Sequence, residues 1–95
     1  MTELYYRRIA HGPAHAISTW RTSTGAEVDL ILHAGEEIIP IEIKWSERPT
    51  PSDARHLETF MDLHKGSAHR GYVICRSATR QKLSDRVTAL PWNVF

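Results

Sequence analysis

Four polar residues stand in two neighbouring stretches of alternating hydrophobicity: Glu27 and Asp29 in the segment 27–33, Glu42 and Lys44 in the segment 38–45. Carboxylates are hard oxygen ligands, and two of them in a partly open site suit Mg²⁺ or Mn²⁺, whose shell is completed by water and substrate phosphate. A lysine two residues beyond a carboxylate can orient or deprotonate an attacking water, or balance charge on a five-coordinate phosphate. The backbone carbonyl of Ile43, between Glu42 and Lys44, offers a further metal ligand. This is the equipment of metal-assisted phosphodiester hydrolysis. Asp29, Glu42 and Ile43 would hold the metal, Asp29, Glu42 and Lys44 would form the catalytic set, and Glu27 would be an auxiliary acid.

Such chemistry requires the two stretches to be paired in one register. Gly35-Glu36 suits a two-residue type II′ hairpin loop, because glycine accepts the positive φ of the first central position. Ala34 then pairs with Glu37, Asp29 lies opposite Glu42, and Glu27 lies opposite Lys44. Directly opposed Cβ atoms are roughly 4.5–5.5 Å apart. The other face would carry Val28, Leu30 and Leu32 against Ile43, Ile41 and Ile39, and this apolar match sets the register. Two opposed carboxylates repel unless a cation sits between them. Pro40 lacks a ladder donor, which predicts incomplete pairing or a bulge in its strand.

The remaining elements follow from local signals. Residues 15–21 read as a strand, ended by the turn residues Ser23-Thr24-Gly25. Thr50 as N-cap, Pro51 at N1 and Asp53 at N3 open a helix with a packing stripe of Ala54, Leu57, Phe60, Met61 and His64, and Gly66 is expected to stop it. Tyr72-Val73-Ile74-Cys75 reads as a strand covered on both faces. Residues 82–86 suggest a short helical turn, and residues 87–95 a closing segment whose Leu90, Trp92, Val94 and Phe95 patch the core edge. The expected fold is α/β with a mixed sheet, in the order β-β-β-α-β.

At 95 residues the chain has room for one domain. Its 12 Lys and Arg against 11 Asp and Glu give a net charge of +1, which excludes a histone-like polycation and an acidic disordered tail. That mean conceals a split: residues 1–43 carry a net charge of −3, residues 44–95 a net charge of +4. The lone Cys75 excludes an internal disulfide framework and a paired-cysteine zinc ribbon. No apolar run approaches the roughly 20 residues of a membrane-spanning helix, and the first residues lack a signal-peptide layout, so no membrane partner and a cytoplasmic location are expected.

The block Gly25-Ala26-Glu27-Val28-Asp29-Leu30-Ile31-Leu32, followed by Ile39-Pro40-Ile41-Glu42-Ile43-Lys44, resembles the PD-(D/E)XK nuclease superfamily. More narrowly, Trp20-Arg21-Thr22 and Pro91-Trp92 resemble the C-terminal domain of prokaryotic AAA-type ATPases known as domain of unknown function 4143. The likeness spans residues 15–95, with residues 1–14 as a separate N-terminal segment. It implies a restriction-endonuclease-like three-layer core with Asp29, Glu42 and Lys44 in the motif positions, a Mg²⁺- or Mn²⁺-dependent nuclease activity on DNA, and an ATPase domain or a second copy as partner. A catalytically silent docking or recognition module of an ATPase is the alternative. Two departures stand out: Val28 replaces the proline of the motif name, and nothing before His15 reads as the helix that opens the superfamily core. The chain is therefore expected to be the tail of a longer protein, or to have its sheet covered by a partner copy.

Weaker candidates flank this set. Gly12-Pro13 prevents a helix that would bring His11 and His15 together, which argues against a zinc pair. Arg21, Arg55, Arg76, Arg80, Lys82 and Arg86 are candidates for contact with a phosphate backbone, although a scattered solvated surface accounts for most of them. Tyr5, Tyr6, Trp45 and Trp92 could stack on bases, but aromatics in so small a chain are expected to serve the core.

Overall fold

Glycine at the tip of the second hairpin fixes the register of the two strands that carry the candidate site. In the computed structural model, which describes residues 16–94 and side-chain surroundings over 19–93, Gly35 has φ +64°. It joins β2 (Glu27–Ala34) to β3 (Glu37–Ile43). Their antiparallel register is the expected one, with Ala34 opposite Glu37, Leu32 opposite Ile39 and Leu30 opposite Ile41. Before them runs β1 (Ala16–Arg21), after them α1 (Arg55–Leu63), then β4 (Gly71–Cys75), β5 (Gln81–Lys82) and β6 (Val87–Pro91). The sheet order is β1-β2-β3-β4-β6-β5, with β3, β4 and β6 mutually parallel and the remaining neighbours antiparallel. The chain thus has an α/β fold with a mixed sheet and one α-helix among the described residues.

The helix begins as a 3-10 turn over Pro51–Ala54, where the Asp53 carboxylate accepts the Thr50 N–H at 2.9 Å. Ala54, Leu57, Phe60 and Met61 are buried against Ile31, Val73, Cys75, Val87 and Ala89. Trp20 meets Phe60 edge-on at 5.1 Å, and His64 stacks on Phe60 at 4.2 Å. Leu32, Ile39, Ile41, Ile74 and Leu90 form a second buried cluster on the opposite face of the sheet. Arg86 binds Glu58 and Asp62, so the turn before β6 is tied to the helix.

Several sequence expectations are corrected. Residues 82–86 are not helical: β5 turns into β6 through bonds from the Leu83 and Ser84 N–H groups to the Val87 carbonyl. Val87–Pro91 is a full strand of the sheet rather than an edge patch, and a 3-10 turn follows over Trp92–Val94. Gly66 does not end the helix in a left-handed conformation, since among the described glycines only Gly25 and Gly35 have positive φ; the C-cap is His64. Of the two outcomes expected at Pro40, the bulge is absent, since the β2–β3 register runs through it unbroken. Incomplete pairing is found on its other side, where β4 pairs only from Ile41 onward. Ile38 sends its N–H away from β2, to the Ser67 carbonyl at 3.0 Å. Pro40, two residues on, would point its absent N–H the same way, before the β4 pairing begins at Ile41. The irregularity lies instead between β1 and β2, where Ser18 faces Ile31 but Trp20 faces Val28. That extra residue in β2 turns Val28 to the helix side, not to the side of Leu30 and Leu32. Ile43 is no core residue either, being 49% exposed. The N-terminal segment 1–14, the expected absence of an opening helix there, and Tyr5, Tyr6, His11 and His15 lie outside the described residues. No described helix is long and apolar enough to cross a membrane.

The contrast between buried and exposed leucines of α1 tests this packing. Leu57→Ala should lower unfolding free energy by about 2–5 kcal/mol in urea titrations. Leu63→Ala, at a position 62% exposed, should stay within about 0.5 kcal/mol of the parent.

Candidate functional site

The β2–β3 ladder stops at Leu30 and Ile41, one pair short of the two acids. With the extra residue of β2 at this point, the next backbone acceptor of the strand is displaced. The Asp29 carboxylate takes its place: Asp29 Oδ2 accepts the Ile43 N–H at 2.9 Å. A side chain thus closes a gap in the ladder, and it brings Asp29 to the neighbour of Ile43, Glu42. On the other side β3 remains locked to β4, with Glu42 beside Val73 and the Lys44 N–H donating to the Ile74 carbonyl at 2.9 Å.

Glu42 is 6% exposed, one of two buried polar residues among those described. Its carboxyl pKa is pushed up from 4.5 to about 8, first by burial, then by the hydrogen bond to the Asp29 side chain and by that group's charge; Lys44 pulls in the other direction. At neutral pH Glu42 therefore keeps its proton, and the two acids share it in place of a cation. Glu42 and Lys44 line a small open pocket whose far wall is Ser52, Asp53, Arg55 and His56, from the 3-10 turn and the first turn of α1. His56 is itself anchored to β2, its Nδ1 lying 3.1 Å from the Glu27 carbonyl oxygen.

Of the residues expected to act together, Asp29, Glu42, Ile43 and Lys44 are adjacent. Glu27 is not opposite Lys44. It pairs with Arg21 through the β1–β2 ladder, its backbone meets His56, and its exposed carboxylate makes no contact with the other acids. No group of three or more His, Cys, Asp or Glu side chains suited to a metal is found among the described residues. Besides Glu42, Asp53 also brings a carboxylate to the pocket wall, but it is engaged by the Thr50 N–H. The basic candidates are dispersed: Arg21 ends β1 at one edge of the sheet, whereas Lys82 belongs to β5 at the other, with Arg80 next to it. Arg55 and His56 line the pocket. The sequence offers Arg55 only as one of several basic residues for a phosphate-backbone groove, and it gives no sign of His56 beyond its position just after a capped turn that follows the Lys44 strand.

The family model described as Domain of unknown function (DUF4143) matches the chain over residues 1–95. No curated protein and no solved structure matches it.

The buried carboxyl makes stability depend on pH in a definite direction. Below about pH 4.5 Glu42 is protonated both folded and unfolded, and it contributes nothing. Between about 4.5 and 8 the unfolded chain has lost the proton that the folded chain retains, so stability falls as pH rises, and levels off above about 8. The total is on the order of a few kcal/mol. Glu42→Gln should therefore melt higher than the parent at about pH 8 and show no gain below about pH 4.5 in metal-free thermal scans. An equal gain at both ends would mean that Glu42 does not hold its proton.

Proposed function

The chain belongs to the DUF4143 family, and from that premise we propose that it is a metal-dependent nuclease domain of the PD-(D/E)XK type, with a restriction-endonuclease-like core, that hydrolyses phosphodiesters of DNA. The observation that carries this reading is the Asp29–Glu42 carboxyl pair beside Lys44, placed where β2 and β3 part. The donor set fits a hard divalent cation, because two carboxyls already share one positive charge, a proton, and one of them, Glu42, lines an open pocket. Asp29, Glu42 and the Ile43 carbonyl would hold Mg²⁺ or Mn²⁺, which when bound supplies Lewis acidity toward phosphate and water.

The chain's own residues supply the rest. Lys44, on the Glu42 side of β3, orients the attacking water or balances charge gathering on the phosphate. Arg55, on the opposite wall, is placed for a phosphate oxygen, and His56 holds β2 against the helix start so that the wall keeps its distance. Glu27 takes no part in this arrangement.

A second reading has an observation of its own. Asp29 Oδ2 is already bonded to the Ile43 N–H, a structural duty that an inert docking or recognition module of an ATPase would equally need. A nicking assay on supercoiled DNA, with and without Mn²⁺, separates the two. Cleavage should require Mn²⁺ and fall by at least about a hundredfold in Asp29→Asn and in Lys44→Ala. Mn²⁺ should also raise the melting temperature of the parent but not of Glu42→Gln. Cleavage that survives both substitutions would remove the proposed site. Absence of cleavage together with no thermal shift would favour the inert module.

A further inference from the structure

Trp45 and Trp92, expected in the core, are 62% and 51% exposed, and neither belongs to either buried cluster. Their ring centroids are 5.7 Å apart at 46°, and the Arg76 guanidinium lies 5.4 Å over the Trp45 ring. The three residues come from different parts of the chain but from one place in the fold. Trp45 lies just beyond the end of β3, and Arg76 and Trp92 directly follow β4 and β6. Because these strands are parallel neighbours, all three side chains emerge at the same end of the sheet. The Arg76 N–H donates to the Ser46 carbonyl at 2.8 Å, which fixes the two loops together. Lys44, the residue before Trp45, belongs to the carboxylate site on the helix side, whereas Ile74 and Leu90, two residues before Arg76 and Trp92, face the opposite side. The aromatic pair and that site therefore lie at the same end of the sheet with its edge between them.

We propose that Trp45, Trp92 and Arg76 form a stacking platform for the unpaired bases of single-stranded nucleic acid, whose backbone runs across the rim toward the Asp29–Glu42 site. Every base presents a π face that an exposed indole can take, and a cation beside the ring contributes further. Positive charge continues past the platform. The β5–β6 register sets Gln81 opposite Ala89, and its continuation brings Arg80 level with Leu90, two residues before Trp92. Among the described residues Glu47 is the acid in contact with the group, at 3.8 Å from Arg76. A second copy of the chain fits less well, since a stable dimer covers about 800 Å² on each partner and, among the described residues, the large exposed apolar side chains at this end of the sheet are Ile43, Trp45 and Trp92. Duplex DNA keeps its bases stacked on one another and offers no free face.

The proposal names the form of substrate for the nuclease reading and rests on that reading for the direction of the strand, but binding can be measured without cleavage. Fluorescence anisotropy in EDTA should show that the chain binds an oligothymidylate of about 16 nucleotides, with an abasic strand of equal length and a duplex each about tenfold weaker or more. Trp45→Ala and Trp92→Ala should each weaken single-strand binding about tenfold. Trp45→Phe, which keeps a π face, should restore most of it, and Leu63→Ala, at an exposed position of α1 away from the platform, should leave it unchanged. Equal affinity for the abasic strand, tighter binding of the duplex, or no effect of Trp45→Ala would overturn the platform. So would self-association in sedimentation that Trp45→Ala abolishes, which would assign the surface to a second copy. Binding that behaves as expected, alongside no Mn²⁺-dependent cleavage, would overturn the nuclease reading alone.

Discussion

Asp29 occupies the position of a missing backbone acceptor. One residue too many in β2 ends its ladder with β3 after Leu30 and Ile41, and an N–H stranded at a strand end needs a partner or water. By accepting the Ile43 N–H, Asp29 lets β3 continue along β4 while β2 peels away. The open pocket, the burial of Glu42 and the alignment of Lys44 all follow from that separation. Had the ladder continued, the helix-side groove would be closed by backbone and the two acids would repel across a regular pair.

The same separation explains why β3 belongs to two different sheets in effect. Along its first half it is one arm of an antiparallel hairpin; along its second half it is the first of three parallel strands. Parallel strands finish together, so the loops that leave them are gathered at one rim. Residues far apart in the chain, Trp45, Arg76 and Trp92, meet there without any packing requirement of their own. Nothing in the core would be lost if they were small and polar, which makes their size and exposure a property of the surface rather than of folding.

The part of this arrangement that depends on short-range rules was legible in the sequence. A two-residue loop at Gly35-Glu36 and matched isoleucines and leucines sufficed for the register, and Thr50, Pro51 and Asp53 located the start of the helix. The bulge at residues 29–30 left no mark, because Val28 and Leu30 are equally apolar and alternation alone cannot tell which of two apolar faces each one joins. Residues 82–91 are ambiguous in the sequence for a related reason: a strand as short as Val87–Pro91 is recognisable only by its partners, β4 on one side and β5 on the other. The exposure of Trp45 and Trp92 was hidden for the same cause, since it depends on which strands end beside which.

The state of Glu42 links the fold to its chemistry. In a site without a cation, the carboxyl retains a proton at neutral pH because burial and Asp29 both oppose ionisation. A divalent ion offers twice the charge at the same oxygens and would displace that proton, so that binding and proton release are coupled. The coupling favours cation binding as pH rises through the carboxyl's raised pKa, in the same range where the empty fold becomes less stable. The fold thus tolerates a weakened carboxylate pair that only an added positive charge fully relieves. That is a cost with no structural return, because Asp29 alone already satisfies the Ile43 N–H and a glutamine at position 42 would avoid the strain.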